Sequence, residues 1–256
     1  AISNNEVLVY GCGPTVYNSP HIGNFRTFVF YDLLNRVLLQ NGYAVKNVIN
    51  ITDIDDKIID RVNNEDISFN DLTKKYEHIF LQQSDCLNIL PSTFNPRASE
   101  YISEMIHFIK SLIDKGFAYN VDGNIFFDTK EYSRYGKFVS IDDDILSRED
   151  NELGKKHPND FALWKAWKDS DGEITWVSDW GNGRPAWHTE CAVLGTQLLG
   201  KSIDIHCGGI DLKFPHHENE SAQVEALLGN QFANYWLHAE HLIFDSEKMS
   251  KSLGNT

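Results

Sequence analysis

Cysteine is scarce in this 256-residue chain, with four residues at Cys12, Cys86, Cys191 and Cys207. Four thiols spread so widely are too few for a disulfide scaffold. No apolar run approaches the ~20 residues of a membrane helix, and the opening residues Ala1-Ile2-Ser3-Asn4-Asn5-Glu6 are polar, unlike a secretion signal. Basic residues are in deficit: 23 Lys plus Arg face 37 Asp plus Glu, a formal net charge of −14. So acidic a surface excludes a general nucleic-acid coat and leaves room for a local basic groove. Repeats and low-complexity tracts are absent. Hydrophobic residues, at 41%, are plentiful, which excludes a disordered chain and supplies a sizeable core. The expectation is a cytoplasmic protein with reduced thiols and no membrane span. Metal binding is then the question to ask of its cysteines and ten histidines.

Val7-Leu8-Val9-Tyr10 reads as a buried strand stopped by Gly11-Cys12-Gly13-Pro14. His21-Ile22-Gly23-Asn24 opens a helix that Asn41-Gly42 stops, and the β-branched stretch 44–51 is a second strand. Strand, helix and strand imply a parallel sheet of the α/β type. Asp53-Ile54-Asp55-Asp56 caps a further helix, and helices are expected over 68–86 and 97–115. Residues 117–128 read as a hairpin turning at Asp122-Gly123. The charged stretch 139–160 reads as an exposed, mobile connection. Helix 185–199, strand 202–206, a turn at Cys207-Gly208-Gly209 and helix 216–228 restore the alternation. The predicted organisation is a first α/β half (1–115), an inserted α+β region (116–184), a second half (185–245) and a Lys-rich loop (246–256).

Three constellations carry chemistry. Gly13 to Asn24 lies beyond a strand end and at a helix N-terminus, where free N–H groups and the positive dipole end favour phosphate. His21 and Asn24 can donate to phosphate oxygens there, and Gly23 admits a flat ring close to the backbone. Lys248-Met249-Ser250-Lys251-Ser252 forms a cationic loop able to close over a polyphosphate. Cys12, Cys191, His216 and Glu220 offer two thiolates, an imidazole and a carboxylate, a plausible Zn²⁺ set, with His216 and Glu220 one helical turn apart. His217 is expected about 100° round the helix from His216. Cys86 reads as core, Cys207 as a small residue near the nucleotide, and His188 and His206 as polar pocket residues.

The first two constellations resemble the class I aminoacyl-tRNA synthetases, with Asn24 where that family's first motif carries a second histidine. The third, with Asn50 to Lys57, Asp160 to Lys165, Trp187 to Cys191 and Asp204 to Glu220, is similar to the cysteinyl-tRNA synthetases. That resemblance implies a Rossmann-like parallel sheet split by a connective insertion. It implies ATP-dependent activation of L-cysteine and its transfer to tRNA(Cys), with one zinc selecting the thiolate and Mg²⁺ accompanying ATP. His21, Asn24, Lys248 and Lys251 would serve catalysis. Gly23, Gly208, Gly209, Ile243 and Lys251 would border ATP. Gly13, Thr52, Trp187 and Asp211 would line the cysteine pocket, Asp211 pairing with the substrate ammonium. It also implies a monomer, and tRNA-reading domains beyond a chain that stops near Gly254. Two other readings stay open: a related ligase placing cysteine on an amino sugar, and a non-catalytic zinc- and nucleotide-binding module. A dinucleotide oxidoreductase is disfavoured, because Val16 stands where the third glycine of its fingerprint belongs.

Overall fold

The computed structural model describes residues 5–138, 154–244, 247–249 and 254. Strand β1 (Glu6–Gly11) sends Val7, Val9 and Tyr10 into the interior and ends at Gly11, just before the buried Cys12, which Gly11 and Gly13 flank. Helix α1 (Ile22–Gln40) returns the chain to β2 (Ala44–Ile49), which pairs with β1 in parallel from Glu6↔Ala44 to Gly11↔Ile49. Two strands from far along the chain complete this sheet: β8 (Ile203–Gly209) and β9 (Ala233–Ala239), in the order β2-β1-β8-β9. All three pairings are parallel, so the carboxyl ends of the strands open on one side.

Helices α2 (Asp56–Glu65), α3 (Phe69–Cys86) and α4 (Ile102–Asp114) follow β2. The α2 N-terminus is capped by the Asp55 side chain, which accepts from the Lys57 N–H at 2.8 Å. The chain then builds an antiparallel sheet from β3 (Ala118–Val121), β4 (Asn124–Phe127), β5 (Phe161–Ala166), β6 (Trp176–Ser178) and β7 (Gly181–Pro185), in the order β3-β4-β5-β7-β6. Asp122 and Gly123, both at positive φ, turn β3 into β4. Helix α5 (Trp187–Leu199) is buried along most of its length because β1 and β2 of one sheet and β5 of the other pack against it. Helix α6 (Glu218–Leu228) lies beside it.

The structure corrects four expectations, the first being that Cys86, read as core, is exposed at the end of α3. Residues 139–153 of the expected mobile connection lie outside the described residues, but 154–160 are ordered around Asp160. That carboxylate is fully buried and accepts from the Tyr119 hydroxyl at 2.6 Å and the Thr129 N–H at 2.9 Å. Cys207-Gly208-Gly209 is not a turn but the end of β8. A Cβ on Gly208 would stand 2.4 Å from the His217 ring, so the glycine serves close packing within a strand. The helix expected from 216 begins regular α geometry only at Glu218, because 213–217 forms a wider, π-type turn kinked at Phe214 (φ −143°, ψ 133°).

Candidate active site and metal centre

Cys12 follows β1, Cys191 sits in the second turn of α5, and His216 and Glu220 flank the start of α6. Their ligand atoms all lie within 4.8 Å of one another, and all four residues are buried. Cys12 Sγ is 3.7 Å from Glu220 Oε1. His216 Nε2 is 3.0 Å from the same oxygen but without hydrogen-bond geometry, so a buried ring nitrogen faces the cluster unsatisfied. Its other nitrogen, Nδ1, stands 2.8 Å from His188 Nδ1. A second-layer partner of that kind fixes the ring orientation of a metal-binding imidazole. Two sulfurs, one ring nitrogen and one carboxylate oxygen converging in a dry site fit a zinc ion.

The charges agree. Burial pushes the Cys12 thiol up, and Cys191 beside it adds to the rise. Burial acts on Cys191 in the same direction, but the Cys12 thiol donating to it and the adjacent His216 outweigh this and lower it to about 6. Burial alone would lower His216, yet the Glu220 carboxylate and Cys191 hold it up at about 10. Against its own burial, Glu220 is held well below the usual carboxylate range by His206 and His216. Without a metal, the proton on His216 offsets the Cys191 thiolate and the Glu220 carboxylate, and a bound cation would displace it and the Cys12 proton.

Two further histidines join this cluster. His206 Nε2 lies 2.8 Å from Glu220 Oε2, and His217 Nε2 lies 3.4 Å from Cys12 Sγ. With Cys12 and Glu220 they make a second group of metal-ligand atoms within 4.8 Å. Contrary to the helical expectation, His217 is not turned away, since the π-type turn swings its ring back towards β1. The alternation His206-Cys207-Gly208 in a strand could have signalled the inward side chain of His206.

Cys12 also lines a cleft of about 500 Å³ at the carboxyl end of β1. Gly13, His21, Gly23, Asn24, Trp187, Gly209, Asp211 and Lys248 line it as well. Asn24 Oδ1 accepts from the His21 N–H at 3.1 Å and so caps α1, leaving the amide nitrogen outside that bond. Lys248 Nζ is 3.2 Å from Asp211 Oδ2, and both side chains are about half exposed. Trp187 stacks on His216 with ring centroids 4.0 Å apart, joining cleft to metal cluster. Thr52 lies buried behind the wall, where its Oγ1 accepts from Asn50 Nδ2 at 3.1 Å. Gly208 packs on His217, and Ile243 is exposed and paired with Lys248, so neither lines the cleft. Lys251 lies outside the described residues.

The whole chain, residues 1–256, matches the tRNA synthetases class I (C) catalytic domain. The chain belongs to that family. Among its relatives is the cysteine–tRNA ligase of Brachyspira hyodysenteriae, 50% identical over 260 residues, 99% of this chain and 55% of that protein. The cysteine–tRNA ligase of Finegoldia magna is 51% identical over 258 residues, 99% of this chain and 56% of that protein. The chain thus spans about half the length of these curated relatives. The fold is shared with Mycobacterium tuberculosis methionyl-tRNA synthetase in complex with methionyl-adenylate: TM-score 0.71 and 15% identity, covering 98% of this chain and 60% of that one. A Rossmann-like class I catalytic fold, with its parallel sheet interrupted by an antiparallel one, therefore stands. Among the described residues no helix is long and apolar enough to cross a membrane.

Proposed function

We propose that this chain activates L-cysteine with ATP to cysteinyl adenylate, releasing pyrophosphate, and that the protein carrying it transfers cysteine to tRNA(Cys). The observation that carries this reading is one residue shared by two sites: Cys12 belongs to the buried Cys, Cys, His, Glu cluster and also lines the cleft at the α1 N-terminus.

Cysteine and serine differ by one atom, and shape alone separates such pairs by only about 10². Zinc, held by Cys12, Cys191, His216 and Glu220, supplies a soft Lewis acid that prefers a thiolate to an alcohol. The chain's own groups do the rest. Trp187, stacked on His216, walls the thiol side of the pocket. Asp211 receives the substrate ammonium in exchange for Lys248. The free N–H groups of the α1 N-terminus, with His21 and Asn24, hold phosphate oxygens while the cysteine carboxylate attacks the α-phosphorus in line. Lys248 and Lys251 neutralise charge that builds on the leaving pyrophosphate. Gly23 and Gly209 border the nucleoside, Gly13 lines the amino-acid pocket with Thr52 supporting its wall from behind, and Mg²⁺ enters with ATP. The working protein is a cytoplasmic monomer in this reading.

Cysteine-dependent ATP–pyrophosphate exchange by the full-length, zinc-loaded protein tests the activation step, and charging of tRNA(Cys) tests the transfer. Exchange that ignores cysteine would refute the first. Exchange with cysteine but charging only of an amine acceptor would refute the second.

A further inference from the structure

Tyr10 sits in β1, in register with Val48 of β2 and His206 of β8, and its side chain is fully buried. Its hydroxyl nevertheless has no hydrogen-bond partner. A phenylalanine would fill the same space without burying an unsatisfied polar group. Tyr31 gives the contrast: its buried hydroxyl donates to the carbonyls of Cys12 and Cys207, each at 3.2 Å.

The Tyr10 ring packs between α5 and the His206 ring of β8, whose centroid is 5.1 Å away. Its Cδ2 lies 3.5 Å from where a Cβ on Gly195 would stand. Gly195 is one helical turn beyond Cys191, so the two share a face. The ring packs on that face, and its hydroxyl has Cys191 within hydrogen-bonding reach, with Cys12 and Glu220 the other charge-bearing neighbours. A thiol sulfur is a weak acceptor, whereas a metal-bound sulfur is a thiolate and accepts strongly.

We propose that Tyr10 is a positioning residue for the metal centre, its hydroxyl donating to the Cys191 sulfur when that sulfur ligates zinc. The inference rests on the metal reading above. The bond fixes the Cys191 side chain towards the ion and draws electron density off the thiolate. The ion then stays acidic enough to prefer a substrate thiol. Outer-layer partners of this kind are worth about 10–100-fold in metal affinity.

The test uses the full-length protein and its Tyr10→Phe variant, with zinc affinity measured by chelator competition. The sulfur-to-cobalt charge-transfer band is recorded after Co²⁺ substitution. Tyr10→Phe is expected to weaken zinc binding at least about 10-fold and to move the band to lower energy, because an unbonded thiolate is richer in electrons. Site-specific 3,5-difluorotyrosine at position 10, a stronger donor of similar size, should move the band the other way. That arm stands even if Tyr10→Phe fails to fold. A band unmoved by both replacements overturns the role of Tyr10, whatever happens to stability or affinity. Wild-type protein that binds neither zinc nor cobalt overturns the metal reading itself.

Discussion

Glu218 is fully buried, and its carboxylate is wrapped by three consecutive backbone N–H groups. Oε1 accepts from Gly136 at 2.9 Å and from Lys137 at 3.3 Å, and Oε2 accepts from Phe138 at 2.8 Å. Glu218→Ala removes all three hydrogen bonds at once. A hydrogen bond to a charged group is worth about 1.5–3 kcal/mol. Lys137 is exposed, so water replaces its long bond at little cost, but Gly136 and Phe138 are only half exposed. Two effective losses give about 3–6 kcal/mol. Urea unfolding followed by tryptophan fluorescence would show this as a midpoint lowered by about 1–2 M, taking a slope of about 3 kcal/mol per M. Glu218→Gln should lose less, since one amide oxygen still accepts while the NH₂ faces a donor. A Glu218→Ala loss under about 1 kcal/mol would refute the reasoning, because the three donors would then be finding other partners. The site has a stake in the outcome. Phe138 packs on Trp236 with centroids 4.8 Å apart, and Trp236 stacks on His206 at 4.5 Å. His206 in turn holds Glu220 at 2.8 Å.

Three further outcomes are expected. Gly13→Ala would put a Cβ 1.5 Å from the Asn50 carbonyl oxygen. It should cost about 3 kcal/mol or more and lower Tm by about 6–12 °C, and an unchanged melt would show that the strand end yields freely. Cys191→Ser should reduce zinc content on elemental analysis and erase most of the preference for cysteine over serine in pyrophosphate exchange; a wild-type preference would sink a direct metal–thiolate contact. Burial raises the Glu225 carboxyl, but hydrogen bonds from Lys137 and Tyr132 outweigh it, and the group is held below its usual 4.5. A folded value below the unfolded one means stability present above about pH 4.5 and lost as the pH falls through the folded value. Glu225→Gln should therefore flatten the acid limb of a urea-midpoint profile, and an identical limb would exclude Glu225 from acid unfolding.

The strand and helix of the first half were legible because Val7 to Tyr10 is a short apolar run and 22–40 has broadly helical spacing, each followed by a glycine stop. Cys12, Cys191, His216 and Glu220, chosen by chemical type and resemblance, are brought to one place. His217 was not legible, because a 3.6-residue period does not apply to a π-type turn kinked at Phe214. Gly208 and Gly209 look like a turn on composition, yet they extend β8 by pairing with His238 and Ala239 of β9, where His217 and Asp211 leave no room for a Cβ. The β6–β7 hairpin was missed, since Gly181-Asn182-Gly183-Arg184-Pro185 lacks β-formers and is held by pairing with β5 and β6. Asp160 lay in a charged stretch whose composition gave no sign of a buried carboxylate bonded to Tyr119 and Thr129.

The metal cluster joins residues made far apart in time, for Cys12 and Glu220 are 208 positions apart. During translation β1 and β2 can pair early, but Cys12 must wait until α5, β8 and α6 have all emerged. A metal held by all four side chains therefore cannot guide the early stages of folding. It rewards only the last one, when the second half of the parallel sheet docks beside β1 and so meets the entropic cost of closing a very long loop. A nascent chain stalled within the antiparallel sheet would carry Cys12 without its three partner ligands and no high-affinity site. Zinc uptake thus reports completion of the sheet, and chelation should trap chains at the step before β8 docks.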